Sequence, residues 1–331
     1  METSEIIGQS SAMKEIFRIM DRVASSDATV LVSGEPGTGK ELLARTLHKN
    51  SHRASKPFES INCRALPGES LDKELFGHKE EASAGRINPR MGFLALADGG
   101  TVFLNEVGAL DFNLQFKILR LLQDKEYVRA GGSARHKVNV RVIASSSSNL
   151  EKESEKGSFR KDLFYRLNVI PISLPPVRSR GEDILLLAEF FLKKFQANKQ
   201  DDCLVLSRQA RDLMLHYSWP GNVRELESLM ARIALLCQGP EVKPEHFPDK
   251  FLSTSGIERR ADSVTPSGFE WPKLKDMDDR KINLKDFLEK IEENLLMQAM
   301  DVADGVKNQA AEILGIKRTT LIEKLKKKNL T

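Results

Sequence analysis

The sequence predicts an α/β domain built on a parallel sheet, then an all-helical domain, then a terminal pair of short helices packed at a steep angle. Three observations predict it. Short β-rich runs alternate with segments of helical period through the first half of the chain, as parallel strands joined by helical crossovers require. After Pro175-Pro176 the strand-like runs stop and helical periodicity alone remains. Near the end, Asn308 to Leu321 carries the small pair Ala310-Ala311, a turn at Gly315 and apolar spacing that suit two closely packed helices.

Taken in order, the expected strands are Ala28 to Ser33, Phe58 to Asn62, Thr101 to Leu104, Val138 to Ala144 and Val169 to Leu174. Between them, Glu41 to Lys49, Leu71 to Phe76 and Leu114 to Gln123 space their apolar residues as helices do. In the helical part, Ile184, Leu187, Phe191 and Phe195 fall on one face. A further helix is expected to start at Asn222, where Asn222 and Glu225 have the capping-box separation behind the breaker Trp219-Pro220-Gly221. From about Ser253 to Asp279 the chain is polar, Pro-containing and aperiodic, which reads as a linker. Helical period returns over Leu284 to Met300. The expected division is therefore 1–175 (α/β), 176–250 (helical), 251–282 (linker) and 283–331 (C-terminal helices).

With 40% hydrophobic and 30% charged residues among 331, the composition excludes collagen-like, low-complexity and wholly disordered classes. The first residues lack a basic start followed by an apolar run, so no signal peptide is expected. The longest apolar stretch, Ile184 to Leu192, is broken by Glu189 and is far short of a membrane span. Cys63, Cys203 and Cys237 show neither metal nor disulfide-framework spacing and read as reduced thiols, consistent with a cytoplasmic chain. Net charge is only +4, but Lys317 to Thr331 holds six basic residues and one acidic, a pattern suited to double-stranded DNA.

Gly34-Glu35-Pro36-Gly37-Thr38-Gly39-Lys40 follows an expected strand and precedes an expected helix, the context that makes such a run a phosphate cradle. The glycines let backbone N–H groups converge on phosphate oxygens, the helix start adds a favourable dipole, and Lys40 reaches the β and γ phosphates. Glu41 stands where a hydroxyl that holds Mg²⁺ usually sits. The matching acidic site is expected at the end of an apolar strand, and Val102-Phe103-Leu104-Asn105-Glu106 supplies it. Asn105 occupies the metal-holding position and, being neutral, should weaken Mg²⁺ binding and hydrolysis. Glu106 is the candidate that orients the attacking water.

Further strings run in order along the chain: Ile61 to Cys63 (INC), Glu74 to His78 (ELFGH), Leu96 to Leu104 (LADGGTVFL), Phe159 to Val169 (FRKDLFYRLNV) and Trp219 to Leu226 (WPGNVREL). With the phosphate loop, these resemble the AAA+ central domain of the sigma-54-dependent, NtrC-like bacterial enhancer-binding proteins, followed by a Fis-type helix-turn-helix. The resemblance implies an AAA+ P-loop domain with a parallel sheet, an all-α lid and a C-terminal helix-turn-helix, with ATP or ADP as the bound nucleotide. It implies that Glu41 is ordinary in its position and that Asn62 is a switch residue pairing with Glu106. Arg160 and Arg166 match arginine fingers that reach a neighbouring subunit's γ-phosphate, implying a hexameric ring. Arg224 matches the lid arginine that senses the same phosphate. In the C-terminal motif, Arg318, Thr319 and Thr320 begin a helix, about Arg318 to Lys328, that would enter the major groove. Lys324, Lys326, Lys327 and Lys328 are phosphate-backbone candidates, with Leu321 and Leu325 facing the core. Helix Leu284 to Met300 is expected to pair two such units as a dimer on a two-fold operator.

Three positions depart from the family pattern. Asn105 replaces its aspartate. Ala144-Ser145-Ser146-Ser147 replaces Ala-Ala-Thr-Asn, leaving Ser147 where a phosphate-sensing Asn is usual. Glu81-Ala82-Ser83-Ala84-Gly85-Arg86 replaces GAFTGA, removing the Phe and Thr that press on sigma-54. The expectation is a DNA-bound repressor or antagonist that binds ATP, hydrolyses it poorly and has lost productive contact with sigma-54 polymerase. The alternative is a working ATPase that activates sigma-54-dependent transcription, favoured by Lys40, Glu106, Arg160, Arg166 and Arg224. Because the resemblance begins at Ile7-Gly8, no upstream sensory domain is expected in this chain, and control is expected from a ligand, a partner or abundance.

Overall fold

A computed structural model describes residues 6–78, 91–196, 204–237, 239–254, 284–303 and 306–327. They fall into two compact units, 6–254 and 284–327.

The α/β part of the first unit runs α1 (Ser11–Ala24), β1 (Val30–Ser33), α2 (Lys40–Lys49), β2 (Phe58–Asn62), α3 (Gly68–Phe76), α4 (Phe93–Leu96), β3 (Thr101–Asn105), α5 (Phe112–Asp124), β4 (Glu126–Val128), β5 (Arg135–Lys137), β6 (Arg141–Ser146), α6 (Leu150–Glu155), α7 (Lys161–Leu167) and β7 (Ile170–Ser173). The sheet has the order β2-β3-β6-β1-β7, parallel at every pairing. Strand pleating sends alternate side chains to opposite faces. Leu31, Val102, Leu104, Val142 and Ala144 pack on one face against Leu71, Leu75, Leu114, Ile118 and Leu163 of α3, α5 and α7. Val30, Val32, Phe103, Ile143 and Ile172 pack on the other against Met13, Ile16, Met20, Leu43 and Leu47 of α1 and α2. Covered on both faces, β3 must be apolar at consecutive positions, and its Val102-Phe103-Leu104 is fully buried. Burying each such side chain stabilises the fold by about 1.5–3 kcal/mol.

Some elements differ from expectation. The fourth sheet strand is Arg141–Ser146 rather than Val138 to Ala144, because the chain before it turns back as the antiparallel hairpin β4–β5. Helix α1 was not anticipated, although Met13, Ile16, Met20 and Val23 carry helical spacing. Arg141, buried at the start of β6, donates to Ala24 O (2.8 Å) and Val23 O (2.9 Å), placing a cation on the C-terminus of α1.

The rest of this unit holds α8 (Asp183–Gln196), α9 (Arg208–His216), α10 (Asn222–Leu236) and α11 (Asp249–Thr254), with a short parallel pair β8 (Val205–Leu206) and β9 (Glu241–Val242) where only helices were expected. Their core gathers Ile184, Leu187, Phe191, Leu213, Trp219, Leu226 and Met230. Phe195, expected on the same face, is 37% exposed. Helix α10 starts at Asn222, but Gly221 is its cap. Glu225 Oε2 accepts the Gly221 N–H (2.9 Å) but lies one residue beyond the N3 position of a capping box, and the Asn222 side chain turns elsewhere, so the expected box does not form.

The second unit comprises α12 (Leu284–Val302), α13 (Lys307–Ile313) and α14 (Arg318–Lys327). Leu296, Ala299, Ala303, Ala310, Ala311, Leu321 and Leu325 form its core, so Leu321 and Leu325 face inward as expected. Gly315, at φ +61°, takes the left-handed conformation that turns α13 into α14. Among the described residues, no helix is long and apolar enough to cross a membrane.

Candidate functional site

At the carboxyl end of β1, an interior strand between β6 and β7, the chain enters the glycine loop and then α2, where an open α/β sheet presents its ligand crevice. Gly37 (φ +79°) and Gly39 (φ +101°) adopt conformations that favour glycine. A Cβ at Gly37 would lie 2.3 Å from the Gly221 carbonyl oxygen, so the loop tolerates no side chain against the lid. The Val223 and Arg224 N–H groups donate to Gly37 O at 3.0 and 3.3 Å. A cleft of 720 Å³ opens over this loop. Pro36, Gly37, Thr38, Gly39, Lys40, Glu41, Asn62, Asn105, Glu106 and Arg224 all line it, while Gly34 and Glu35 do not. Lys40 Nζ, nearly buried, donates to Gly34 O (2.8 Å) and Glu35 O (3.3 Å) and pairs with Glu106 Oε1 (3.1 Å). These features fit a polyphosphate: N–H groups at a helix start, a lysine at the mouth, and glycines where backbone must approach closely.

The opposite wall is set by β3 and β6. Glu106 takes a left-handed backbone (φ +60°), and its Oε2 accepts the Ser147 hydroxyl (2.6 Å) and the Ser147 N–H (3.0 Å). Burial pushes the Glu106 carboxyl up, but Ser147 and the Lys40 ammonium outweigh it and hold the group below the usual carboxylate range. Asn105 Oδ1 accepts the Ser145 hydroxyl (2.6 Å), and Ser145 Oγ accepts the Glu106 N–H (3.3 Å). The two serines of the altered β6 end are thus bonded to the two polar residues at the end of β3. Asn62 does not pair with Glu106 here: it is exposed on the rim, and its Oδ1 accepts the Arg64 N–H at 3.0 Å. That bond closes a local turn, and the Glu106 carboxylate is left with Ser147, Lys40 and, at 3.9 Å, Arg64 around it.

The donors present do not fit a tightly held Mg²⁺. Asn105 is neutral and its oxygen is engaged by Ser145; Glu106 is engaged by Ser147 and Lys40; and Glu41 Oε1 accepts from Arg45 (2.7 Å). Among the described residues, no group of three or more His, Cys, Asp or Glu side chains is arranged to hold a metal ion.

Asn222, expected only as a helix-start residue, and Arg178, Arg180 and Asp183, which the sequence does not mark, also organise the site. Asn222, fully buried, accepts the Val177 N–H (2.9 Å) and donates to Glu35 Oε2 (3.1 Å) and Pro36 O (3.0 Å). Arg178 also donates two N–H groups to Glu35; its hydrogen bonds first, then that of Asn222, lower the Glu35 carboxyl to about 2. Arg180, buried, donates to Thr38 O (3.1 Å) and Pro175 O (2.9 Å). Asp183 accepts from Gln9 N (2.6 Å) and Ser10 Oγ (2.6 Å), fastening the start of α1 to α8. A charge's burial is a tertiary property, so the run Arg178 to Asp183 reads in sequence as an ordinary charged turn.

Arg160 and Arg166 do not line this cleft. Arg160 forks onto Asp162 (3.0 and 2.7 Å) beside the Phe116 ring, and Arg166 is exposed on α7. Arg224 is exposed at the lid rim of the cleft.

In the second unit, Arg318 and Thr319 are exposed and Thr320 half-buried in the first turn of α14. Lys324 is paired with Glu292 of α12, which occupies an ammonium expected for DNA phosphates. The side chains of Lys326, Lys327 and Lys328 lie outside the described residues, as do Glu81 to Arg86, Cys203 and most of the expected linker.

The Sigma-54 interaction domain model matches residues 6–173, the AAA+ ATPase lid domain model residues 178–263, and the bacterial regulatory protein, Fis family model residues 287–327. The chain is 40% identical over 323 residues to the regulatory protein AtoC of Escherichia coli (strain K12), covering 97% of this chain and 67% of that one. It is 38% identical over 328 residues to the DNA-binding transcriptional regulator NtrC of the same strain, covering 98% and 70%. Among solved structures, NtrX from Brucella abortus in complex with ADP aligns at TM-score 0.71 and 32% identity over 98% of this chain and 70% of that one. The same protein in complex with ATP aligns at TM-score 0.70 and 32% identity, over 98% and 69%.

Proposed function

The chain belongs to the NtrC-like family of sigma-54-dependent enhancer-binding transcription regulators, and from that premise we propose a nucleotide-binding, DNA-bound repressor or antagonist with slow ATP hydrolysis. ATP or ADP occupies the cleft over Lys40, with its phosphates on the loop Gly34 to Gly39 and Arg224 closing from the lid. The observation that carries slow hydrolysis is the engagement of Glu106: the carboxylate that would orient water is bonded to Ser147 and to Lys40. Asn105 compounds it by bringing no charge to the metal side. Absence of the Phe and Thr anchors from Glu81 to Arg86 supports the loss of productive contact with sigma-54 polymerase.

Helix α14 reads DNA through Arg318, Thr319 and Thr320, with Lys324 and Lys327 at the phosphate backbone and α12 pairing two chains on a two-fold operator. Arg160 and Arg166, which do not line their own cleft, serve a neighbour's nucleotide in a ring. The working division of the chain remains 1–175, 176–250, 251–282 and 283–331.

Steady-state ATP hydrolysis by the purified full chain, beside Asn105→Asp, tests this reading. Wild type should be near silent; recovery in the variant would place the lesion at residue 105, and continued silence would place it at Glu106. Brisk wild-type turnover that Asn105→Asp leaves unchanged would refute it. The second reading, a working ATPase that activates sigma-54-dependent transcription, draws on Lys40, Glu106 and Arg224 lining one cleft. Open-complex formation from sigma-54 polymerase with ATP would establish it.

A further inference from the structure

We propose that Arg64 is a phosphate-binding cation of the cleft that supplies the charge neutralisation otherwise due to a divalent metal, so that this chain binds nucleoside triphosphate without metal. The inference rests on the nucleotide reading of the cleft and extends it to the form of nucleotide bound and to the residue that selects it.

Arg64 follows β2 by two residues, and its N–H is fixed by the Asn62 side chain at 3.0 Å. Its guanidinium lines the cleft, with Nη2 at 3.9 Å from Glu106 Oε2 and the side chain 64% exposed. That separation exceeds hydrogen-bond length, so Glu106 does not consume the guanidinium's donors. Apart from Arg224, exposed on the lid side, the other cations of the cleft are more fully committed. Lys40 is bound to two loop carbonyls and Glu106, Arg180 to the Thr38 and Pro175 carbonyls, and Lys194 to Glu227. Arg64 therefore carries unspent donors on the wall shared by Lys40 and Glu106, where the terminal phosphate of a triphosphate would lie.

The metal side of the same wall is correspondingly poor. An amide at 105 whose oxygen is taken by Ser145 removes one negative charge from the donor set, and Arg64 adds one positive charge beside Glu106. Both changes disfavour a divalent cation and favour an anion. A guanidinium is permanently charged, planar and forked, matching phosphate oxygens in pairs, which a hydrated ammonium does not. As a mere exposed ion pair with Glu106, Arg64 would contribute about 0–1 kcal/mol to stability and nothing selective to binding.

The test is calorimetric titration of the full chain with ATP and with ADP, each in Mg²⁺ and in excess EDTA. Wild-type ATP affinity should change less than about threefold on removing the metal, and Arg64→Ala should lose about tenfold or more of ATP affinity in EDTA while ADP affinity moves less than about threefold. Arg64→Lys should keep part of the ATP affinity, and Arg64→Ala with Asn105→Asp should make ATP binding metal-dependent. Unchanged ATP affinity in Arg64→Ala, equal losses of ATP and ADP, or a wild type that needs Mg²⁺ would each overturn the proposal. Lys40→Ala separates it from the reading beneath: if wild type binds and Lys40→Ala does not, a negative Arg64 result removes the metal-free inference alone. If wild type binds neither nucleotide in either buffer, both fall.

Discussion

Replacing Asn222 by Ala should be among the most destabilising single changes in the first unit. Its side chain joins three segments: the turn after β7 through Val177 N–H (2.9 Å), the phosphate loop through Glu35 (3.1 Å) and Pro36 O (3.0 Å), and α10, of which it is the first residue. Two of these bonds are neutral, about 1 kcal/mol each net, and the one to the ionised Glu35 is worth about 1.5–3 kcal/mol. Asn222 is fully buried, and water is poorly placed to replace the lost partners. Its backbone sits at φ +52°, where Ala is less tolerated than Asn by about 1 kcal/mol. Together these give a loss of about 5 kcal/mol. Urea unfolding of wild type, Asn222→Ala and Asn222→Gly by far-UV circular dichroism measures it. Gly escapes the backbone penalty but not the lost bonds, so it should fall about 1 kcal/mol short of the Ala effect. An Ala variant within about 1 kcal/mol of wild type would refute the reasoning, because it would mean that water or relaxation replaces all three bonds.

Two further outcomes are expected. His48 is buried and bonded to Thr101 Oγ1 (2.9 Å), and burial holds its pKa below the usual imidazole value. The unfolded chain thus binds this proton more readily, so the His48 contribution is present above pH 6.5 and is lost as pH falls below it, at up to about 1.4 kcal/mol per pH unit; a thermal midpoint insensitive to pH between 7 and 5 in wild type and His48→Gln alike would contradict this. Leu321→Ala, at a fully buried position of the second unit, should cost about 2–5 kcal/mol and abolish operator binding measured by footprinting, whereas Thr319→Ala, exposed on the same helix, should weaken binding without unfolding the unit.

The sheet strands were largely legible because a strand buried on both faces leaves consecutive apolar letters, as in Val102-Phe103-Leu104 and Val142-Ile143-Ala144. Strand β5, Arg135-His136-Lys137, leaves none, since its residues are exposed or half-buried in a two-stranded hairpin, and so it was invisible. Residue types placed the phosphate loop and the helix-turn-helix because both depend on glycine conformation and small-residue packing, which are local. Partner choice is not local. Asn222 and Glu225 have capping-box spacing, yet the Asn222 side chain does not cap, because its Oδ1 is claimed by the Val177 N–H and its Nδ2 by Glu35 and Pro36, all far away in sequence. Arg53 looks like a surface charge in sequence but is buried, forking onto Asp27 (2.8 and 2.9 Å) and donating to the Gly100 and Asn139 carbonyls.

The two departures at the ends of β3 and β6 act on different quantities, which is why one variant does not test both. Aspartate at 105 is nearly isosteric with Asn and would still accept the Ser145 hydroxyl, so Asn105→Asp changes charge while leaving that bond in place. It does nothing to Ser147, whose hydroxyl and N–H hold Glu106 from the other side. Recovery of turnover in Asn105→Asp would mean that the Ser147 bonds yield when nucleotide draws Lys40 away from Glu106, since that ion pair is the third restraint on the carboxylate. Continued silence would mean that they do not yield. Orientation of Glu106, rather than charge at residue 105, would then be what limits the site.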